Sequence, residues 1–226
     1  MGHRILFTYN KNTPAETIYG YLYNWWAAIG DTDGDFSSNQ DIASTGWHVP
    51  TQTEWDTLIN YVGGKSVAGR ELKSTGTEYW LNNNGLDTYG FSAPGAGQRI
   101  SSFDDIKEVG TFWTSTTAAV SFKTGKFNSA TNASNSMTQS GAAAMKEGKS
   151  VRLIKDSTTL LHGQTGTYQG NDGKIYPTIC IGTQEWLSVN LEETKWRTGG
   201  SIPEIGWSTA EDAAWVSATS AAMCIP

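Results

Sequence analysis

Gly46-Trp47-His48-Val49-Pro50-Thr51-Gln52-Thr53-Glu54-Trp55 is the stretch on which the reading of this chain turns. Thr51 followed three residues later by Glu54 is a capping box. The Thr51 hydroxyl accepts from the Glu54 amide, and the Glu54 carboxylate reaches back to the Thr51 amide, with Pro50 just outside the helix. Trp55, Leu58, Ile59 and Val62 then recur on one apolar face, and Gly63-Gly64 ends the run. A helix is therefore predicted after Thr51. Upstream, Thr13-Pro14-Ala15-Glu16 carries the same start signal, with proline at the favoured first helical position. Ile18, Leu22, Trp25, Trp26 and Ile29 continue it at helical spacing until Gly30-Asp31, which predicts one further helix whose aromatic stripe packs in the core.

Between these helices, residues 31–46 read as a loop. Asp31-Thr32-Asp33-Gly34-Asp35 has the alternating carboxylates of a calcium loop, but Phe36 and Ile42 occupy the places of its glycine and its bidentate glutamate. An Asp-Gly turn is the preferred reading, and calcium the weaker one. Downstream, only short strand candidates bounded by turns are found: Gly90-Phe91-Ser92-Ala93, Thr111-Phe112-Trp113-Thr114-Ser115 and Ser150-Val151-Arg152-Leu153-Ile154. Helices first and short strands afterwards predict an α+β domain.

From Trp113 to Val151 the chain is almost all Ser, Thr, Ala, Asn, Gly and Lys, with Phe122, Phe127 and Met137 nearly its only large apolar residues. Such a segment cannot build a core of its own. It reads either as an ordinary exposed loop or as an adaptable binding surface held by the strands that flank it. Residues 157–166 read as a linker. Beyond them, Asn171-Asp172-Gly173 turns into Lys174–Ile181, and Gly182-Thr183-Gln184 turns into Glu185–Leu191, a β-hairpin.

The composition narrows the function. The 226 residues carry a formal net charge of −6, with 17% charged, 38% hydrophobic and 12% aromatic residues, so the chain can offset its ordering entropy and fold. An acidic balance with 16 Lys and Arg supplies no basic footprint for nucleic acid. No apolar run reaches the ~20 residues of a membrane-spanning helix, and Met1–Phe7 is too short an apolar opening for a secretory signal. Cys180 and Cys224 read as buried small hydrophobes, with a disulfide as the alternative; His3, His48 and His162 are scattered and flank no ligand motif. Asp104-Asp105 and Glu192-Glu193 read as solvated faces rather than catalytic pairs.

At this point the motifs resemble a known family. Tyr19-Gly20-Tyr21-Leu22-Tyr23-Asn24-Trp25-Trp26-Ala27, the Gly46–Trp55 stretch, Leu72-Lys73-Ser74-Thr75-Gly76-Thr77, Gly90–Ala93, Phe112-Trp113-Thr114-Ser115-Thr116 and Lys149–Asp156 together resemble the Fibrobacter succinogenes major paralogous domain. That family is similar to the formylglycine-generating-enzyme branch of the C-type lectin-like fold. The resemblance implies two helices packed on short twisted antiparallel sheets with many loops. The block Asp172–Leu191 resembles the segment that opens the family's domain, yet here it follows Lys155-Asp156, where the family's domain closes. Each segment occurs once in rotated order, which implies a circularly permuted domain. Residues 1–156 would form its main part, 157–166 a linker, and 167–226 a block folding back on the same domain. Exchange of that block with a neighbouring copy is the alternative.

The resemblance also implies a binder and not an enzyme. The cysteine pair and the iron-binding histidine trio of the enzymes on this fold cannot be assembled from these residues. In target proteins of diversity-generating retroelements, the ligand surface lies between a Trp-x-Ser-like strand and a Val-Arg strand. Here Trp113-Thr114-Ser115 and Val151-Arg152 bracket the Ser/Thr/Asn/Ala-rich segment. The implied ligand-binding residues are Thr117, Ser121, Phe122, Asn128, Asn132, Asn135 and Met137, on a framework of Trp47, Trp55, Trp113, Val151 and Leu153. The expectation is an extracellular, cell-surface or virion protein. Its partner would be a protein or glycan ligand, with no cofactor, no nucleic acid, no membrane insertion, and oligomers through the C-terminal block. A purely structural module of a fibre or surface array is the rival reading.

Overall fold

The computed structural model describes residues 19–31, 40–117, 124–206 and 209–224. Its longest helix is the one expected, α2 (Gln52–Tyr61), and the capping box is formed in both directions, Thr51 accepting from the Glu54 amide and Glu54 from the Thr51 amide. Trp55, Leu58 and Ile59 are the buried face of this helix.

The first predicted helix is corrected. Its start at Thr13–Glu16 lies outside the described residues, and its later part is not continuous. Gly20 adopts φ 71°, and a Cβ there would lie 2.5 Å from that of Asn190, so the backbone turns at this point. Leu22–Tyr23 then forms strand β1, and a short helix α1 (Trp25–Ile29) restarts on Asn24, whose side chain accepts from the Ala27 amide. Of the apolar residues at helical spacing, Leu22 and Trp25 are buried and Trp26 and Ile29 half-buried, but a partner 202 residues away in sequence claims Leu22 for a strand. β1 pairs with β12 (Met223–Cys224), Leu22 opposite Cys224.

Two helices lacked a sequence signal. α3 (Lys65–Leu72) has an interior glycine and no side-chain cap, and α4 (Thr209–Ser217) is alanine-rich, anchored by the fully buried Trp215. Gly69 in α3 is there for space: a Cβ would meet the Ser136 carbonyl oxygen at 2.2 Å.

Every named strand pairing is antiparallel, and with few helices the fold is α+β. The largest sheet runs β2 (Trp47–His48), β8 (Ile154–Lys155), β11 (Gln184–Leu187), β10 (Ile175–Ile181), β9 (Thr165–Gln169). A second, three-stranded sheet runs β5 (Val109–Thr117), β6 (Thr124–Thr131), β7 (Met137–Ala144), and β3 (Gln98–Arg99) pairs with β4 (Phe103–Asp104). The predicted hairpin is β10–β11, with Ile181 opposite Gln184. The strand expected at Thr111–Ser115 is the middle of β5, but that at 150–154 shrinks to β8, and 90–93 is irregular. There the Ala93 carbonyl accepts from the Trp80 indole and the Ser74 amide, and Ser92 has a positive φ of 51°, which strand geometry excludes.

The sheets lie between aromatic clusters. Trp25, Trp47, Trp113, Leu153, Tyr168 and Leu187 share one; Trp55, Trp80, Phe91, Phe112, Ile154 and Trp186 share another. The neighbours Phe112 and Trp113, Leu153 and Ile154, and Trp186 and Leu187 therefore point to opposite cores, as the two-residue period of a strand buried on both faces requires. Framework residues Trp47, Trp55, Trp113, Val151 and Leu153 are all buried.

The segment read as a linker is no free tether. Thr158 Oγ1 donates to Glu185, the Gly163 amide to the Cys180 carbonyl, and β9 already begins at Thr165. The C-terminal block enters the large sheet by pairing Trp186 with Ile154. Arg152, fully buried, fixes the same joint: its guanidinium donates to Phe91 O (2.6 Å), Ser92 O (3.1 Å), Leu187 O (2.8 Å) and Asn190 Oδ1 (2.7 Å) and lies over the Phe91 ring.

Candidate functional site

The Ser/Thr/Asn/Ala-rich segment is mostly a hairpin and not a loop. β6 pairs with β5 through Phe112 opposite Asn128, and with β7 through Ala130 opposite Met137. Sequence reasoning missed these strands because their inward positions are small or flexible: Ala130, Met137 and Ala143 are buried where Val, Ile or Leu would have signalled a strand.

The structure divides the sequence-predicted site residues. Thr117 ends β5, Asn128 sits within β6, and Asn132 and Asn135 lie in the β6–β7 turn. Seven residue steps along β6 set the two ends ~23 Å apart, so Thr117 and the Asn132–Asn135 turn mark opposite ends of one sheet, with Asn128 between them, and not a single patch. Ser121 and Phe122 lie outside the described residues. Met137 is corrected: at 1% exposure it packs in the core with Trp55 and Phe112 and cannot anchor a ligand on the surface.

The β6–β7 turn is held from beneath. The buried Lys73 ammonium at the end of α3 donates to Thr131 O (2.9 Å), Ser134 O (2.8 Å) and Asn84 Oδ1 (2.6 Å), and lies over the Trp80 ring. Burial pushes this ammonium down to about 8. The Arg70 amide donates to Asn135 O, and the Asn132 amide to Glu108 O. Above this floor, Asn135 and Thr138 are exposed, Asn132 and Ser134 half-buried, and Asn132 Oδ1 accepts from Asn82. The turn is thus a fixed backbone presenting small polar side chains.

Elsewhere, His48 uses both ring nitrogens on carboxylates, Nδ1 at 2.6 Å from Asp156 and Nε2 at 2.9 Å from Glu54. The bond to Glu54, aided by Asp156, raises its pKa against the opposing effect of burial. The two carboxylates lie on opposite sides of the ring and do not converge on one point. Among the described residues no group of three His, Cys, Asp or Glu side chains is placed to hold a metal ion. Most of the calcium-like stretch after Asp31 lies outside them.

Glu192 and Glu193 are corrected from a solvated face to buried groups. Glu193 accepts from the amides of Asn171, Asp172, Thr194 and Lys195, which builds the Asn-Asp-Gly turn, and burial raises its pKa. Glu192 pairs with Lys174 beside a cleft of about 250 Å³ lined by Gly20, Ile175, Pro177 and Val189. Asp104 and Asp105 are exposed as expected. Cys180 and Cys224 are free and buried, and burial pushes the Cys224 thiol up to about 12, so it is no thiolate nucleophile at neutral pH. Tyr61, Tyr89 and His162 form a surface aromatic cluster with ring centroids 5.2–6.0 Å apart. No local pattern announces it, since its members come from three distant segments.

Among the described residues, no helix is long and apolar enough to cross a membrane. Searches of curated proteins and of solved structures find no match to the chain. The Fibrobacter succinogenes major domain model does match, over residues 4–155, which includes the capped helix α2, the Lys73 clamp and the three-stranded sheet; the chain belongs to that family.

Proposed function

We propose that this protein is a non-enzymatic ligand-binding domain on a C-type lectin-like scaffold, displayed on a cell surface or virus particle. The observation that carries the reading is the β6–β7 turn: small side chains, Asn135 exposed and Asn132 and Ser134 half-buried, on a backbone pinned by Lys73, Arg70 and Glu108. A surface fixed in this way loses little conformational entropy on binding, while Asn and Ser side chains adapt their hydrogen bonds to a ligand. The C-type lectin-like and circularly permuted readings draw support from the β1–β12 pair, which joins the two halves of the chain, and from the entry of the C-terminal block beside β8. Affinity per site would be modest and would gain from display in several copies.

The test is binding of the labelled domain to a glycan array and to a panel of bacterial cell surfaces. Replacing Asn132 and Asn135 on the turn together by Lys is expected to abolish any binding while leaving the melting temperature within a few degrees. Retained binding, or collapse of the fold, would sink this site. The assembly-module reading also has an observation in its favour, an open sheet edge at β9.

A further inference from the structure

Strand β9 is the last strand of the five-stranded sheet, and its register with β10 fixes which backbone groups face outward. Thr167 stands opposite Pro177. Proline has no N–H, and the Pro177 carbonyl accepts from Ser188 on the other side, so Thr167 and Pro177 form a non-hydrogen-bonded pair. The flanking bonds agree: Gln164 pairs with Cys180 and Gly170 with Lys174, which puts the even-numbered residues on the β10 ladder. Thr165, Thr167 and Gln169 therefore turn their N–H and C=O groups away from the sheet. The Gln169 carbonyl accepts from Ser44 Oγ at 2.9 Å; among the described residues the outward groups of Thr165 and Thr167 have no partner.

Exposed edges are normally blunted by charge, proline or a bulge. Gly163-Gln164-Thr165-Gly166-Thr167-Tyr168-Gln169-Gly170 has no charged residue and no proline, and the β9–β10 register is unbroken. Side chains Thr165, Thr167 and Gln169 are exposed, while Tyr168 is buried beneath them.

We propose that β9 pairs antiparallel with β9 of a second copy of this chain, about a two-fold axis at Thr167. The pattern is self-complementary. Thr167 N–H and C=O bond reciprocally to those of the partner's Thr167, and Thr165 C=O accepts from the N–H of the partner's Gln169, whose carbonyl stays with Ser44 of its own chain. Thr beside Thr is a favourable cross-strand pair, and the neutral edge brings no like charges together. Nothing is exchanged between the copies; two sheets become one.

The experiment is light scattering over a concentration series, with hydrogen exchange, on the full chain and on Thr167→Pro and Thr167→Lys. The outward amide at Thr167 means proline removes no bond to β10, and lysine places like charges across the axis. The mass is expected to rise with concentration from the 24.5 kDa monomer towards twice that value. The Thr165 and Thr167 amides should be protected only in the dimer, and both variants should dissociate at least about tenfold more readily. If Thr167→Pro unfolds, Thr167→Lys decides. A monomer at every concentration overturns the proposal, and so does slow exchange of these amides in the monomer, since the chain then covers its own edge. A dimer that survives both substitutions also overturns it, placing the contact elsewhere, as exchange of the C-terminal block would.

Discussion

The Lys73 ammonium lies 2.8 Å from the Ser134 carbonyl oxygen, fully buried beneath the turn it holds. No carboxylate is among its partners; neutral oxygens and the Trp80 face solvate it. Lys73→Met removes the clamp and also relieves the burial of a charge, and the two effects oppose. The expected result is local: exchange of the 131–136 amides quickens about tenfold or more, while the melting temperature falls by no more than a few degrees. Burial lowers the ammonium to about 8 in the folded chain. The unfolded chain therefore binds more protons between that pH and the ordinary lysine range, and stability gains a rising contribution with pH there. That contribution is absent from Lys73→Met, so the stability difference between the two proteins should widen as pH is raised from 8.

Arg152 behaves differently because it joins the two halves of the chain. It donates to Phe91 and Ser92 from one half and to Leu187 and Asn190 from the other. Arg152→Met strands these acceptors in the core and should cost about 2–5 kcal/mol. Chemical denaturation would measure it. A loss below 1 kcal/mol would mean that the joint is held by packing alone.

How legible the fold was in the sequence depends on where each signal lay. Thr51 and Glu54 announce α2 because both partners of the cap are three residues apart, and β10–β11 is announced by its own turn. Leu22 misled because its spacing to Trp25, Trp26 and Ile29 is helical, whereas its conformation is set by Cys224 across the fold. β6 and β7 were hidden by Ala130 and Ala143, which fill tight space without looking like strand residues. Of the candidate site, Asn132 and Asn135 were legible as polar positions; the clamp beneath them was not, because Lys73 on a sequence looks like any surface lysine. Met137 failed for the converse reason: an isolated apolar residue in a polar run was a core residue.

Trp55 touches Phe91, Phe112 and Trp186, with ring centroids 5.8, 5.6 and 5.0 Å away. It is fully buried where α2 meets both sheets. Trp55→Ala should cost about 3–5 kcal/mol, from lost transfer energy and the cavity left behind. The proposed binding surface lies on other residues, so protein that remains folded at low temperature should keep any affinity the intact domain has. Loss of affinity in that folded fraction would show the turn to be coupled to this core.

His48 offers the pH test. Its ring ties strand β2 to Glu54 at the start of α2 and to Asp156 just after β8. Because the hydrogen bond to Glu54, with help from Asp156, raises the folded pKa, the folded chain holds a proton that the unfolded chain releases. The resulting stabilisation is fully present below the unfolded histidine value near 6.5 and is lost as pH rises through the raised folded value. His48→Gln should remove this slope. Melting temperatures of the two proteins should differ most below the unfolded histidine value and converge as pH rises through the raised folded one. A difference that stays constant across the range would mean that the ring is neutral throughout, acting by shape and not by charge.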